Sequence, residues 1–271
     1  VIDSGFARVA GHSAWSGFPT LSTVRISKSS ATQRAGRAGR TQAGHVLRLY
    51  TRADHDSRPE HDVPEIKRAD LAETLLMLHG AGVEDIRGFP WFEPPAASAI
   101  EAAETLLAQL GAIDKNARIT GTGRRMQQLP VHPRLARLML EAEKLGIAGD
   151  SALLAALVSE RDIRLDIRTH FGEIRTKSRA EVSGPSDLLE LLDRFREAEE
   201  EGFRPERLRA LQLDPYAIES VRKSRRQLEK LLSIRTKDSR SLEMKEVEEA
   251  LRIATLAAFP DRVARRRKAR S

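Results

Sequence analysis

The feature that most constrains the fold is the helical spacing of apolar residues along the second half of the chain, from Pro133 to Phe259. Apolar residues recur there at intervals of three and four, which is the period of an amphipathic helix. Capping signals such as Asp214-Pro215 stand directly before the apolar stripes. Aromatic residues make up only 4% of the chain, so the apolar set is mostly Ala and Leu. The pattern predicts a helical bundle.

The first 50 residues have a different pattern, in which short extended segments alternate with turns. Phe6–Val9 and Leu21–Ile26 are predicted to be the strands of a β-hairpin, and His45–Tyr50 is predicted to be a buried strand. The segment ISKSSATQRAGRAGR lies between them and is predicted to contain a helix capped by Ser29 or Ser30. A hairpin, a helix and a strand in this order are typical of the end of an α/β unit.

The middle of the chain predicts a small winged-helix domain. A polar stretch at 51–65 indicates a linker, and the amphipathic segment Ala96–Gly111 is followed by AIDKNARIT, a strand-turn-strand pattern. The predicted fold is therefore mainly α with a small α/β portion. The predicted domains are an α/β portion at residues 1–58, a winged helix at 59–130, a helical bundle at 131–259 and a basic tail at 260–271.

Charge and cysteine content narrow the classes of function. The 46 Lys and Arg residues exceed the 39 Asp and Glu residues, and the net charge of +7 suits a polyanionic partner, although solvated helix faces would also account for it. Because the chain has no cysteine, disulfides, thiolate zinc sites and cysteine nucleophiles are excluded. No apolar run approaches the roughly 18 residues of a membrane span. We expect a cytoplasmic protein with no membrane partner.

The Arg/Gly run suggests phosphate chemistry. If the run is helical, Gln33, Arg37 and Arg40 lie at i, i+4 and i+7 on one face, while Arg34 points elsewhere. Guanidinium groups can neutralise the charge on a transferred phosphoryl group, and an amide can orient the attacking water. A helix end that binds carbonyl groups or phosphates nonspecifically would have the same spacing. Spacing alone leaves both interpretations open.

A family resemblance covers nearly the whole chain. The segment QRAGRAGR (Gln33–Arg40) resembles motif VI of superfamily 2 helicases in its DEAH/RHA form, and VIDSGFARVA resembles the strand after motif V. The segment PEIKRADLAETLLMLHGAGVEDIRGFPWFEPP is similar to the winged-helix part of that family, and LPVHPRLARLMLEA to the entry of its ratchet-like bundle. LVSERD and PYAIESVRKSRRQLEKLL are closest to the bacterial HrpB branch. The resemblance implies a partial RecA-like lobe, a winged helix and a ratchet-like bundle.

The resemblance also implies roles for individual residues. Arg37 and Arg40 would be arginine fingers on ATP bound with Mg²⁺, Gly36 would lie against the nucleotide, and Gln33 would help to place the attacking water. The segment 6–26 would be the hairpin that lies against the bound strand. The implied partners are a nucleic acid, expected to be RNA, and the N-terminal RecA-like lobe of the same protein. The implied activity couples ATP hydrolysis to strand translocation and unwinding.

The sequence departs from the family pattern in several respects. It contains no G-x-x-x-x-G-K-[ST] loop and no Asp-Glu-Ala-His box, and the OB-like domain of the family would begin about where the chain stops. We therefore expect this chain alone to be inactive as an ATPase. The alternative function is a noncatalytic, basic nucleic-acid-binding module.

Further candidate residues lie outside the motif. Arg222, Arg226 and Lys230 form a basic row that could contact phosphates or could simply be a solvated face. Trp15, at the predicted hairpin tip, could stack on a base. His55 and His61 lie in a polar stretch where a solvated loop is favoured over a metal site, so no metal ligand is predicted.

Overall fold

The computed structural model describes residues 1–12, 19–165, 186–232 and 243–263. The protein is mainly helical with a small α/β portion, which confirms the predicted fold class. Its strands are β1 (Ile2–Asp3), β2 (Phe6–His12), β3 (Pro19–Arg25) and β4 (Leu47–Arg48). Its helices are α1 (Lys28–Gly36), α2 (Arg52–Asp56), α3 (Ala72–Gly80), α4 (Ala97–Gln109), α5 (Gly121–Gln127), α6 (Pro133–Lys144), α7 (Ala148–Ser159), α8 (Asp187–Glu200), α9 (Pro205–Ala210), α10 (Pro215–Leu231) and α11 (Met244–Ala258).

The chain divides into two compact units. The first unit consists of Val1–Leu75 and Asp85–Glu104, and the second of Leu76–Glu84 and Thr105–Ser271. Two of the three boundaries fall within α3 and α4, and the third, between Glu84 and Asp85, lies in the segment that joins these helices. These boundaries do not test the predicted division at residues 58, 130 and 259, which stays a prediction.

In the first unit, β2 and β3 form the predicted hairpin. The two strands are antiparallel, with a register that runs from Phe6 opposite Arg25 to His12 opposite Pro19. The prediction of a hairpin is confirmed, and its strands extend beyond the predicted segments. Trp15, the residue proposed to stack on a base, lies outside the described residues.

The strand after the Arg/Gly run is shorter and more exposed than predicted. β4 pairs in parallel with β1, and Ile2 lies opposite Leu47. The side chains of Leu47 and Leu49 are 60% and 62% exposed. The predicted burial of His45–Tyr50 is wrong, because within the described residues β4 has one paired strand and no element covers its apolar side chains.

The stretch at 51–65 is not the predicted linker. Its first residues form α2, where the Thr51 side chain accepts a hydrogen bond from the Asp54 amide at 3.1 Å. Arg58 is only 5% exposed, and the Pro59 carbonyl accepts the amide of Lys28 at the start of α1 at 2.9 Å. The linker prediction is wrong because this segment is anchored to its own unit: Arg58 donates to the Gly5 carbonyl, and the Pro59 carbonyl and the Asp62 carboxylate accept amides at the start of α1.

The predicted strand-turn-strand wing is reduced to a single β-bridge. Gly111, at φ +69°, follows α4, and Ile113 and Ile119 form a single antiparallel bridge. The Asp114 carboxylate closes the intervening turn by accepting the amide of Asn116 at 2.8 Å.

The second unit contains a bundle with the predicted apolar stripes at its core. α6 packs on α7 and α11, and α7 packs on α8 and α10. Asp214 caps α10, as predicted, by accepting the amide of Tyr216 at 2.9 Å. The largest fully buried side chains of this bundle include Leu138, Met139, Leu153, Leu154, Leu192 and Phe195.

Candidate nucleotide and nucleic-acid sites

The Arg/Gly run forms a helix end followed by a tighter turn. α1 ends at Gly36, and Arg37–Gly39 continue as a 3-10 turn. The backbone of Arg40 is still helical, at φ −67° and ψ −37°. Residues three apart are eclipsed in a 3-10 turn, so Arg37 and Arg40 project to the same side. Gln33 lies one α-helical turn before Arg37 on that side. We call Gln33, Arg37 and Arg40 the arginine turn.

The start of α1 is anchored one turn earlier than predicted. Ser27, rather than Ser29 or Ser30, caps the helix, because its buried hydroxyl accepts the Ser30 amide at 3.1 Å. The Ser27 amide in turn donates to the Asp62 carboxylate at 3.1 Å. The cap fixes the helix from which the arginine turn projects.

The arginine turn is open to a ligand. The side chains of Gln33, Arg37 and Arg40 are exposed, and they form no hydrogen bond or ion pair with any part of the chain that the structure describes. A Cβ atom added at Gly36 would meet no other atom within 4 Å, so the backbone there is accessible. Two unpaired guanidinium groups beside bare glycine backbone provide donors for the oxygens of a phosphate group.

Arg34 faces away from the arginine turn, as predicted, and has a buried partner that the sequence did not reveal. Its Nη1 atom lies 3.0 Å from Oδ1 of Asp3, whose side chain is 1% exposed. The same nitrogen donates to the Phe6 carbonyl at 3.1 Å. Burial by itself would raise the pKa of the Asp3 carboxyl, but hydrogen bonds from the Gly5 amide, Arg34 and the Tyr50 hydroxyl hold it below its ordinary value.

A second buried arginine closes the base of the hairpin. Nη1 of Arg58 donates to the carbonyl groups of Gly5 and Ile26, at 2.8 and 3.2 Å, and these residues flank the two strands. The guanidinium lies 4.0 Å from the ring centroid of Tyr50, and its Nη2 donates to Asp54 at 2.6 Å. Sequence reasoning missed Arg58 because its acceptors are backbone groups far away in the chain.

The predicted basic row on α10 divides into two parts. Arg222 is half-buried and has partners within the chain: it donates to Glu219 at 2.8 Å, and its guanidinium lies 4.5 Å from the Phe203 ring centroid. Arg226 and Lys230 are exposed and, in the described ranges, form no side-chain hydrogen bond or ion pair. Lys223, which sequence reasoning missed, is exposed as well. We call Lys223, Arg226 and Lys230, at i, i+3 and i+7, the basic stripe.

The histidine pair has no metal-site geometry. Nδ1 of His55 lies 3.2 Å from a carboxylate oxygen of its neighbour Asp56, and its ring stacks on Tyr50 with centroids 6.4 Å apart. In the described ranges, no group of three or more His, Cys, Asp or Glu side chains is arranged to hold a metal ion. Of the helices in those ranges, none combines the length and apolarity needed to cross a bilayer.

Comparison with known proteins agrees with the geometry of both units. Residues 103–131 match the helicase associated domain (HA2), a winged helix. The ATP-dependent RNA helicase HrpA of Escherichia coli (strain K12) is 41% identical over 169 residues, which are 60% of this chain and 13% of HrpA. The crystal structure of the E. coli DExH-box NTPase HrpB superposes on 99% of this chain and 27% of that chain, with a TM-score of 0.64 and 28% identity.

The chain resembles DEAH/RHA helicases over nearly its whole length. A human relative, the probable ATP-dependent RNA helicase DHX35, is 31% identical over 199 residues, which are 72% of this chain and 28% of DHX35. The chain thus spans between 13% and 28% of these DEAH/RHA proteins. The HA2 match confirms the predicted winged helix, and the HrpB match extends over the hairpin, the arginine turn and the bundle.

Proposed function

We propose that this chain is the part of an ATP-dependent RNA helicase that supplies the arginine fingers, the hairpin and an RNA-binding bundle. The observation that carries the proposal is the arginine turn: Arg37 and Arg40 are exposed, unpaired within the described residues, and on the same side of a 3-10 turn. The relatives named as ATP-dependent RNA helicases support the same activity. The proposed location is the cytoplasm.

The residues of the arginine turn fit the triphosphate of ATP. Arg37 and Arg40 would donate hydrogen bonds to phosphate oxygens, and Gln33 would orient the attacking water. The open backbone at Gly36 would permit close approach of the nucleotide. When bound, ATP supplies the phosphoryl group whose transfer to water releases the free energy for strand movement. Mg²⁺ is usually held by one or two carboxylates together with phosphates and water, and we assign its protein ligands to the N-terminal lobe.

The test compares the full-length protein with this chain alone. We expect RNA-stimulated ATP hydrolysis and duplex unwinding from the full-length protein. We expect neither from the purified 271-residue chain, because its sequence has no phosphate-binding glycine loop. RNA-stimulated turnover by the 271-residue chain would overturn the assignment of the nucleotide pocket to another lobe. A full-length protein that binds RNA without hydrolysing ATP would favour the alternative, a noncatalytic binding module.

The basic stripe supports a direct contact between the bundle and single-stranded RNA. Each neutralised phosphate contact lowers the salt slope of log K by roughly 0.7 for a single strand, so changing Lys223, Arg226 and Lys230 to Gln should reduce the slope by about 2. Affinity should fall about equally for every sequence, because phosphate contacts carry no base information. A salt titration of RNA binding by the 271-residue chain measures both quantities.

A matched control separates a local contact from a general effect of charge. Lys144, Lys245 and Arg252 are also exposed, and changing them to Gln removes the same net charge from other helices. In the control variant, the salt slope of log K should differ from that of the parent by less than the roughly 0.7 expected for one phosphate contact. If both triple variants lose the same slope, the stripe is a solvated face and the attraction is a property of the whole protein.

A further inference from the structure

Arg34 connects the two parts of the first unit that the proposed function assigns to nucleotide and to nucleic acid. It lies in α1 between Gln33 and Arg37, and its Nη1 atom donates both to Asp3, at 3.0 Å, and to the carbonyl of Phe6, at 3.1 Å. Phe6 is the first residue of the hairpin. One nitrogen atom of the helix that carries the arginine turn therefore holds the first residue of the hairpin directly.

The anchor on the hairpin side is buried and fully bonded. The Asp3 carboxylate also accepts the Gly5 amide at 3.0 Å and the Tyr50 hydroxyl at 3.2 Å. Gly5 has φ +76°, and a Cβ atom there would lie 2.6 Å from Arg58 and 2.7 Å from Tyr50. A side chain at this position would clash and would also be strained at the positive φ, so the turn between β1 and β2 requires glycine.

The other strand of the hairpin is held by the same cluster. Arg58 donates to the carbonyls of Gly5 and Ile26, and the Ile26 amide donates to the Gly5 carbonyl at 3.1 Å. Movement of α1 relative to Asp3 and Phe6 would break the charge-assisted hydrogen bonds of Arg34, and such bonds are about twice as strong as neutral ones. It would also leave the buried Asp3 carboxylate without its cation, which is costly in a buried site. α1 and the base of the hairpin therefore move as one body.

We propose that Arg34 is a positioning residue that couples the arginine turn to the hairpin, so that closure of Arg37 and Arg40 on ATP shifts the base of the strand-separating hairpin. The inference rests on the proposed function and adds to it a mechanical connection between the arginine turn and the hairpin. Arg34 itself touches neither nucleotide nor RNA. Its contribution is to the amount of unwinding obtained from each ATP, and not to the hydrolysis step.

The test measures unwinding and ATP hydrolysis together in the full-length protein. In Arg34→Gln, which removes the charge and retains a hydrogen-bond donor, RNA-stimulated kcat for ATP should stay within about threefold of the parent. The number of duplexes separated per ATP hydrolysed should fall about tenfold or more. Arg34→Lys should give an intermediate ratio, because an ammonium group can donate to both acceptors but from a shorter stem. If Arg34→Gln does not fold, the number of duplexes that Arg34→Lys separates per ATP hydrolysed tests the proposal instead.

The control is Arg52→Gln, which removes one positive charge from a side chain that is 95% exposed in α2. Its ratio of unwinding to hydrolysis should equal that of the parent. A parent-like ratio in the Arg34 variants, including one in which both rates fall in parallel, would overturn the coupling role and leave Arg34 as a support for α1. Absence of ATP hydrolysis in the parent protein would overturn the proposed function instead.

Discussion

Replacing Arg37 with alanine is expected to lower RNA-stimulated ATP hydrolysis by the full-length protein by about 10³-fold or more, which is the range for the loss of an arginine finger. The reason is that the planar guanidinium stabilises the negative charge on the phosphoryl oxygens in the transition state. Arg37→Lys should restore little, because an ammonium group cannot make the two-pronged contact. The loss is measured as the steady-state kcat for ATP hydrolysis at saturating RNA and ATP.

The same substitution should leave the fold intact. Arg37 is exposed and has no side-chain partner in the part of the chain that the structure describes, so its loss should change the free energy of unfolding by less than about 0.5 kcal/mol. Arg52→Ala is the control, since it removes another exposed arginine that lies outside the Arg/Gly run. Near-parent turnover in Arg37→Ala would show that the arginine turn is a structural helix end.

The second large effect is expected where the last helix meets the first helix of the bundle. Arg134, at the start of α6, is 5% exposed, and its two terminal nitrogens lie 2.6 and 2.8 Å from the carboxylate oxygens of Asp261. It also donates to the Ala258 carbonyl at 3.0 Å, and its guanidinium lies 5.1 Å from the Phe259 ring centroid. Asp261→Ala leaves a buried guanidinium without its carboxylate, and loss of one partner of a buried pair costs about 3–5 kcal/mol.

We expect the lower end of that range, about 3 kcal/mol, because the Asp261 side chain is 28% exposed and water can replace part of the interaction. Denaturant unfolding of the 271-residue chain, followed by its helical circular dichroism, measures the loss. The control is Glu143→Ala, which breaks the exposed Arg125–Glu143 pair and should cost less than about 1 kcal/mol. Equal losses in the two variants would mean that burial of Arg134 adds nothing to the strength of its pair.

The pH dependence of this pair has a defined sign. The hydrogen bond from Arg134 holds the pKa of Asp261 below its ordinary value, against the opposing effect of burial. A carboxyl with a lowered pKa in the folded state stabilises the protein above its unfolded pKa, and that stabilisation is lost as the pH falls through the folded value. The difference between the parent and Asp261→Ala should therefore be full at pH 7 and shrink in acid.

How far the sequence predicts the structure depends on whether a local pattern specifies the feature. The bundle helices were predictable because burial of Leu138, Met139 and Ile218 follows a helical period, and because Asp214-Pro215 is a local capping signal. The hairpin was predictable for the same reason, with a period of two. In each case the evidence lies within one short window of the chain.

The missed features depend on contacts between distant residues. Asp3 and Arg34 are 31 positions apart, and Arg58 donates to backbone carbonyls 32 and 53 positions away. No periodic pattern in the sequence predicts contacts between residues this far apart. The polar run at 51–65 therefore has the composition of a linker, although Arg58 and a few hydrogen bonds anchor it to the first unit.

The predicted basic row and the basic stripe differ by one residue, and helix geometry accounts for the difference. Residues four apart advance by about 40° around a helix, so a row at i, i+4 and i+8 drifts sideways, toward the flank where Arg222 meets Phe203. Residues at i, i+3 and i+7 stay closer to one line, which is where Lys223 lies. The predicted basic row and the basic stripe each consist of three basic residues, so composition alone does not show which of them is exposed.

The exposed apolar side chains of β1 and β4 govern how the isolated chain behaves in solution. Ile2 and Leu47 lie in a two-stranded sheet and Leu49 follows β4 directly, and strand edges bearing apolar residues are sites at which molecules pair with one another. Mutual repulsion from a net charge of +7 opposes that pairing, and salt screens the repulsion. We therefore expect this sheet to set the salt concentration above which the 271-residue chain begins to self-associate. Light scattering at each salt concentration separates self-association from the loss of RNA affinity.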